Sequence, residues 1–169
     1  MKIFSSLERA KEITILCGSE SDLSVATSVA ARISSSLACI TVHIISCHRN
    51  IGELIDFAEL ECKSQDAIIA IGSKAFALPG MIDTMLYKLG KNIPVIGVAL
   101  GRKNSRVLQA AILSIEELPG SPVIMDENEI CYQGRDGLRR AIDRIVNGNL
   151  PPPKNRIQKP AQMNVFKNF

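Results

Sequence analysis

The chain has no run of about 18 apolar residues, the length a membrane-crossing helix needs, so nothing in it is expected to span a bilayer. Its first eleven residues include Glu8 and Arg9 and hold no apolar h-region. They do not read as a signal peptide, and the expected location is cytoplasmic. The five cysteines (Cys17, Cys39, Cys47, Cys62 and Cys131) are odd in number, irregularly spaced and free of any C-x-x-C pair. That pattern argues against a disulfide framework or a structural zinc site; most are expected to be small buried thiols. Residues 151–169 contain no acid, yet carry Lys154, Arg156, Lys159 and Lys167. The formal net charge of +3 therefore belongs to this tail, and the body is close to neutral. A nucleic-acid footprint on the body has no electrostatic basis, and neither nucleic acid nor membrane is expected as a partner. No internal repeat is visible.

What is present is one alternation of strands and helices. With 169 residues, 46% hydrophobic and 22% charged, the chain is long enough for one domain with a sizeable core. Glu12–Cys17 reads as a first strand, followed by a helix over 22–37 with Val25, Val29, Ala30 and Ile33 at helical spacing. Cys39–Ser46 is a β-branched second strand, and Asn50 is placed to cap a helix over 51–64. Asp66–Gly72 is a nearly all-apolar third strand, and Pro79 suits the first turn of a helix reaching Leu89. Ile93–Leu100, a helix over 105–118, a short strand Pro122–Met125 and a helix Arg135–Val146 ending at Gly148 complete the pattern. The expected fold is α/β: a three-layer αβα sandwich on a flavodoxin-like parallel sheet of about five strands. Residues 1–150 form the single domain. Pro151-Pro-Pro153 stops any helix, and 151–169 is expected to be a basic tail, either disordered or docked on a neighbouring subunit.

The chemistry gathers in the turns after the strands, the edge where open α/β sheets bind ligands. After the first strand the chain reads Gly18-Ser19-Glu20-Ser21-Asp22. Ser19 and Ser21 set hydroxyls beside the free amides of the next helix, a place that attracts anions, although an ordinary capping turn looks the same. Asp22 is negative and suits ribose hydroxyls better than phosphate. After the second strand comes Ser46-Cys47-His48-Arg49. His48 has the pKa range for passing protons, and Arg49 the fork that grips phosphate. Of the two histidines, His43 lies inside the strand and reads as a packed residue. A Cys47–His48 dyad is geometrically poor, because neighbours in extended chain point opposite ways. A metal site from Cys17, Cys47 and His48 lacks a fourth ligand. After the third strand, Gly72-Ser-Lys-Ala-Phe-Ala-Leu-Pro-Gly80 offers close backbone approach at Gly72, a cation at Lys74, and Phe76 and Leu78 as an apolar lid.

Together these turns resemble the PurE family of purine biosynthesis, the 5-(carboxyamino)imidazole ribonucleotide mutases. The carriers are G-S-x-S-D, then S-x-H-R after the next strand, then L-P-G-M after the third, in order through residues 12–100. A fainter likeness runs through Ile112–Val123. The resemblance implies an enzyme without cofactor or metal that moves a carboxylate from an exocyclic nitrogen to a ring carbon of an aminoimidazole ribonucleotide. It implies Ser19 and Arg49 on the 5′-phosphate, Asp22 on the ribose and His48 as general acid/base. Ser21, Ser46, Gly72, Lys74 and Leu78 complete the implied substrate site. The family is usually a homo-octamer with active sites shared between subunits. This chain is a divergent member by pattern: Lys74 stands where the family has glycine, Ala77 where it has histidine, and Tyr132–Arg140 replaces a small Gly/Ala-rich segment.

Two other readings remain. One is a paralogue that keeps the ribonucleotide grip without this catalysis, or acts on a related nucleotide. The other, a flavodoxin or receiver-type signalling domain, fits poorly. Its phosphate loop would need a central glycine, or the third strand would need to end in an aspartate rather than Ile71-Gly72-Ser73.

Overall fold

The computed structural model describes residues 9–151. Met1–Glu8 and the tail beyond Pro151, including the expectation of its docking or disorder, lie outside the described residues.

Five parallel strands form one sheet in the order β2-β1-β3-β4-β5: β1 Lys11–Cys17, β2 Ala38–Ile44, β3 Ala67–Gly72, β4 Val95–Ala99 and β5 Tyr132–Gln133. This is the flavodoxin-like order, and it places a topological switch between β1 and β3. The helices are α1 Leu23–Ala30, α2 Ile51–Asp56, α3 Leu78–Lys88, α4 Arg106–Glu116 and α5 Gly134–Val146.

Why the central strands form is plain from their residues. Every residue of β3 is buried, as the all-apolar run Ala67–Gly72 demands of a strand covered on both faces. Alternate side chains feed two separate cores. Ile13, Ile15, Ile69, Ile71, Ile96 and Val98 pack under α1 and α5. Leu16, Ile68 and Ala70 pack under α2, α3 and α4, through Leu54, Leu78, Ile82 and Ile115. Burying each such isoleucine or leucine contributes about 1.5–3 kcal/mol. The three-layer αβα sandwich is thus as expected.

The differences are local. The first helix stops at Ala30 rather than Leu37, because the chain breaks into turns in which Ser34 and Ser36 bond to each other at 2.8 Å. The second helix keeps α geometry only to Asp56 and continues as a π segment over Phe57–Glu61. The fifth strand is corrected. Pro122–Met125 makes only a single bridge, Ile124 to Ile96, and the strand itself is Tyr132–Gln133, paired with Val98 and Ala99. The cause lies between them: Asp126 accepts backbone N–H bonds from Asn128 and Ile130, folding a tight turn that interrupts the edge. Gly148 does close α5, with φ +69 and its N–H on the Ile145 carbonyl.

Candidate active site

The strands are parallel, so the turns after β1, β2, β3 and β4 emerge along one edge of the sheet. Hydrogen bonds join them in sequence. Gly18 N–H donates to the Ile71 carbonyl at 3.0 Å, Ile45 N–H to Cys17 at 3.0 Å, and Leu100 N–H to Gly72 at 2.7 Å. The rim is therefore held by backbone as well as by side chains.

In the first turn, Glu20–Asp22 forms one 3-10 turn that runs into α1, with Ser19 extended before it. The Asp22 carboxylate reaches back, accepting the Ser19 N–H at 3.0 Å and the Ser19 hydroxyl at 2.9 Å. Ser19 and Ser21 hydroxyls bond at 2.6 Å. Burial pushes the Asp22 carboxyl above its ordinary value, although the bonds from Ser19 and Ser21 and the Arg49 charge oppose it. Ser19 and Asp22 thus form a preset cradle rather than two independent side chains.

The second turn closes on the first. Arg49 Nη2 donates to the Gly18 carbonyl at 3.2 Å, so the guanidinium stands beside the Ser19–Asp22 cradle. Ser46 is buried, and its hydroxyl accepts the Arg49 N–H at 3.4 Å, which fixes the turn that presents His48. His48 itself is exposed. Asn50 stands at the N-cap of α2, but its side-chain amide goes to Glu53 at 3.2 Å instead of capping. His43 is half-buried in β2 with its ring 5.2 Å from that of Phe57, a packed residue as expected.

The third turn is the surprise. Lys74 is exposed and adopts φ +62, the left-handed region that costs an ordinary side chain about 1–2 kcal/mol. Its carbonyl accepts the Phe76 N–H at 3.0 Å. Phe76 then folds inward against Gly72: a Cβ there would stand 2.7 Å from the Phe76 ring. Phe76 and Leu78 are both buried in the core, so they anchor the loop from beneath and do not form a lid. Leu78 in particular has no exposed surface.

Cys47 has a place that reasoning from reactivity missed. Its thiol lies near the Ala77 backbone N–H, which favours the thiolate and brings the second turn beside the third, while burial, the larger effect, raises its pKa. Nothing in the sequence signals this contact, because it depends on two turns meeting in space. Burial likewise pushes the thiols of Cys17, Cys62 and Cys131 up to about 12, which leaves them protonated packing groups. Among the described residues no group of three or more His, Cys, Asp or Glu side chains is arranged to hold a metal ion. No helix among them is long and apolar enough to cross a membrane.

The structure thus brings Ser19, Ser21, Asp22 and Arg49 together, with Ser46 supporting the turn that carries Arg49 and His48. Residues 12–126 match the AIR carboxylase family, covering all of these turns. The chain belongs to that family. It is 31% identical over 119 residues to the N5-carboxyaminoimidazole ribonucleotide mutase of Mycobacterium leprae, a match spanning 69% of this chain and 66% of that relative. It is 30% identical over 152 residues to the protein of the same name from Pyrococcus abyssi, spanning 88% and 80%.

A cavity of about 440 Å³ lies elsewhere, at the N-terminal end of β4, lined by Asp83, Tyr87, Pro94, Val123, Asp126 and Arg144 among others. None of the rim residues lines it. The rim is the candidate site, because it gathers the Ser19 and Ser21 hydroxyls, the Asp22 carboxylate and the Arg49 guanidinium at the edge where the strands end.

Proposed function

We propose that the chain is a cytoplasmic mutase of purine biosynthesis that moves a carboxylate from the exocyclic nitrogen to a ring carbon of an aminoimidazole ribonucleotide. The observation that carries this reading is the joined cradle: Arg49 donating to Gly18 beside a Ser19–Asp22 pair already bonded to each other. The names of the two relatives supply the substrate class.

Each residue has a role that its geometry supports. Arg49 and the Ser19 and Ser21 hydroxyls take the 5′-phosphate, where a guanidinium and hydroxyl donors suit an oxyanion. Asp22 accepts from ribose hydroxyls. Its raised pKa follows from burial and would be partly relieved by those donors, since a carboxylate that accepts more hydrogen bonds is favoured as the anion. Gly72 serves the site indirectly, by admitting the Phe76 ring that anchors the third turn. Lys74, exposed on the third turn, is assigned to the carboxylate, and Leu78 shapes the pocket only from below, being fully buried.

The reaction needs one proton moved twice. With the imidazole of His48 protonated, the N–C bond of the carbamate breaks, carbon dioxide departs, and the nitrogen takes the His48 proton. The ring carbon then attacks the carbon dioxide. His48, now neutral, removes the proton from that carbon, which restores aromaticity and the imidazolium. No net proton or electron is exchanged, as an isomerisation requires. The site must keep water out while carbon dioxide is free. The exposure of His48 in one subunit fits a site completed by a neighbouring copy, so a homo-octamer with shared sites belongs to the proposal.

The test supplies the carboxyaminoimidazole ribonucleotide without bicarbonate and follows the carboxylate by ¹³C NMR. Appearance of the C-carboxylated isomer supports the reading. Tight binding without any isomer would leave a ribonucleotide-binding module, and absence of both would end the proposal.

A further inference from the structure

The rim is divided by charge. The turn after β1 carries Glu20 and Asp22, whereas the turns after β3 and β4 carry only cations. Between residues 67 and 115 the only acid is Asp83, which lines the cavity at the opposite pole. Lys74 stands on the third turn and Arg102 and Lys103 on the fourth, with Arg106 opening α4; all are exposed. Among the described residues none of these cations is ion-paired. Arg140, by comparison, bonds Asp126 at 2.9 Å, and Lys91 and Arg144 are taken up by backbone oxygens.

The fold sets this basic group beside the cradle. Leu100 N–H donates to the Gly72 carbonyl at 2.7 Å, so the third and fourth turns leave the sheet side by side. The fourth turn is closely held. Ser105 N–H bonds the Arg102 carbonyl at 3.0 Å, and the Ser105 hydroxyl accepts the Leu108 N–H at 3.1 Å. Gly101, at φ +155, lets the turn press on α4, since a Cβ there would stand 3.0 Å from the Leu108 backbone. Arg102, Lys103 and Arg106 thus crowd together with no acid in the first turn of α4, and an anion among them relieves their repulsion. Neighbouring strands stand about 4.8 Å apart, so the fourth turn lies about 10 Å from the first, across β3.

We propose that Arg102 and Lys103 are specificity residues that receive, with Lys74, the carboxylate on the base end of the ribonucleotide. The assignment rests on the function proposed above and gives residues to the end of the site opposite the phosphate. The ligand class is then a molecule anionic at both ends. Arg49, Ser19 and Ser21 hold its 5′-phosphate, and the Arg102 fork takes its carboxylate. Lys103 and Lys74 add positive charge at that same end. The carboxylate stays on the base whether it is bonded to nitrogen or to carbon, so these contacts serve substrate and product alike. They select what binds, and the proton transfer stays with His48.

The test is calorimetry on the full chain with two ligands, the C-carboxylated ribonucleotide and the same ribonucleotide without its carboxylate. Wild type should prefer the carboxylated ligand. In R102Q/K103Q, affinity for that ligand should fall by about tenfold or more, while affinity for the uncarboxylated one changes by less than about twofold. K63Q/K88Q, which removes two exposed lysines from the opposite pole of the sheet, should bind both ligands as wild type does. Four results would overturn the assignment while leaving the proposed function standing: no preference in wild type, unchanged affinity in R102Q/K103Q, equal loss for both ligands, or the same loss in K63Q/K88Q. A wild type that binds neither ligand would end the proposed function, and this assignment with it.

Discussion

Arg49 and Gly18 meet across 3.2 Å although they lie on consecutive turns 31 residues apart. That one bond places a guanidinium next to the Ser19–Asp22 pair and joins the two loops into a single cradle.

Arg49→Met keeps an unbranched apolar stem and removes the fork. Loss of a charge-assisted contact of about 1.5–3 kcal/mol corresponds to roughly 10- to 150-fold weaker binding. Calorimetry with the ribonucleotide should show that loss, while the corresponding nucleoside, lacking phosphate, should bind wild type and variant alike.

Asp22→Asn tests the burial of the carboxylate. The folded-state pKa of Asp22 is raised above 3.8, with burial the largest cause. The neutral acid is therefore favoured in the fold: its contribution is full below the ordinary value and is lost as pH rises through the folded value. Asparagine retains an oxygen for the Ser19 N–H and carries no charge. Urea unfolding at pH 7 should find the variant at least as stable as wild type. Its stability should also lack the decline that wild type shows as pH rises from about 4.

Lys74→Gly separates strain from function. Glycine removes a left-handed cost of about 1–2 kcal/mol and adds back roughly 0.5–1 kcal/mol of chain entropy. Thermal unfolding should show a net gain of about 0.5–1 kcal/mol. If Lys74 meets the carboxylate, the same variant loses turnover, and Lys74→Ala loses it without the gain in stability.

Gly72→Ala should do the reverse. Its Cβ would stand 2.7 Å from a Phe76 ring that is itself buried at 6% exposure, so the ring cannot swing away. Overpacking of this kind costs about 1–3 kcal/mol. Phe76→Leu in the same chain should recover part of it in a denaturation series.

How much of this was legible beforehand follows from which interactions are local. β1, β3 and β4 are near-continuous apolar runs, and their observed limits fall within two residues of those read from the pattern. β5 was displaced because an edge strand of two residues carries almost no pattern of its own, and Ile124, in the apolar stretch beside it, makes only a bridge. The motifs placed Ser19, Asp22, His48 and Arg49 on the same edge. They could not show that Asp22 is already bonded to Ser19, that Cys47 lies beside the Ala77 N–H, or that Phe76 is core rather than lid. All three depend on burial or on turns meeting in space, which periodicity does not encode.

The central claim is that His48 passes the proton in a carboxylate shift. The direct measurement is turnover of the carboxyaminoimidazole ribonucleotide by wild type and His48→Asn, with affinity measured on the same samples. Removing a general acid/base should lower turnover by about 10²–10⁴-fold while affinity changes little, because in the proposed site Arg49, Ser19 and Asp22 would still hold the substrate. Equal turnover in the two proteins, or no turnover in wild type despite binding, would contradict the account.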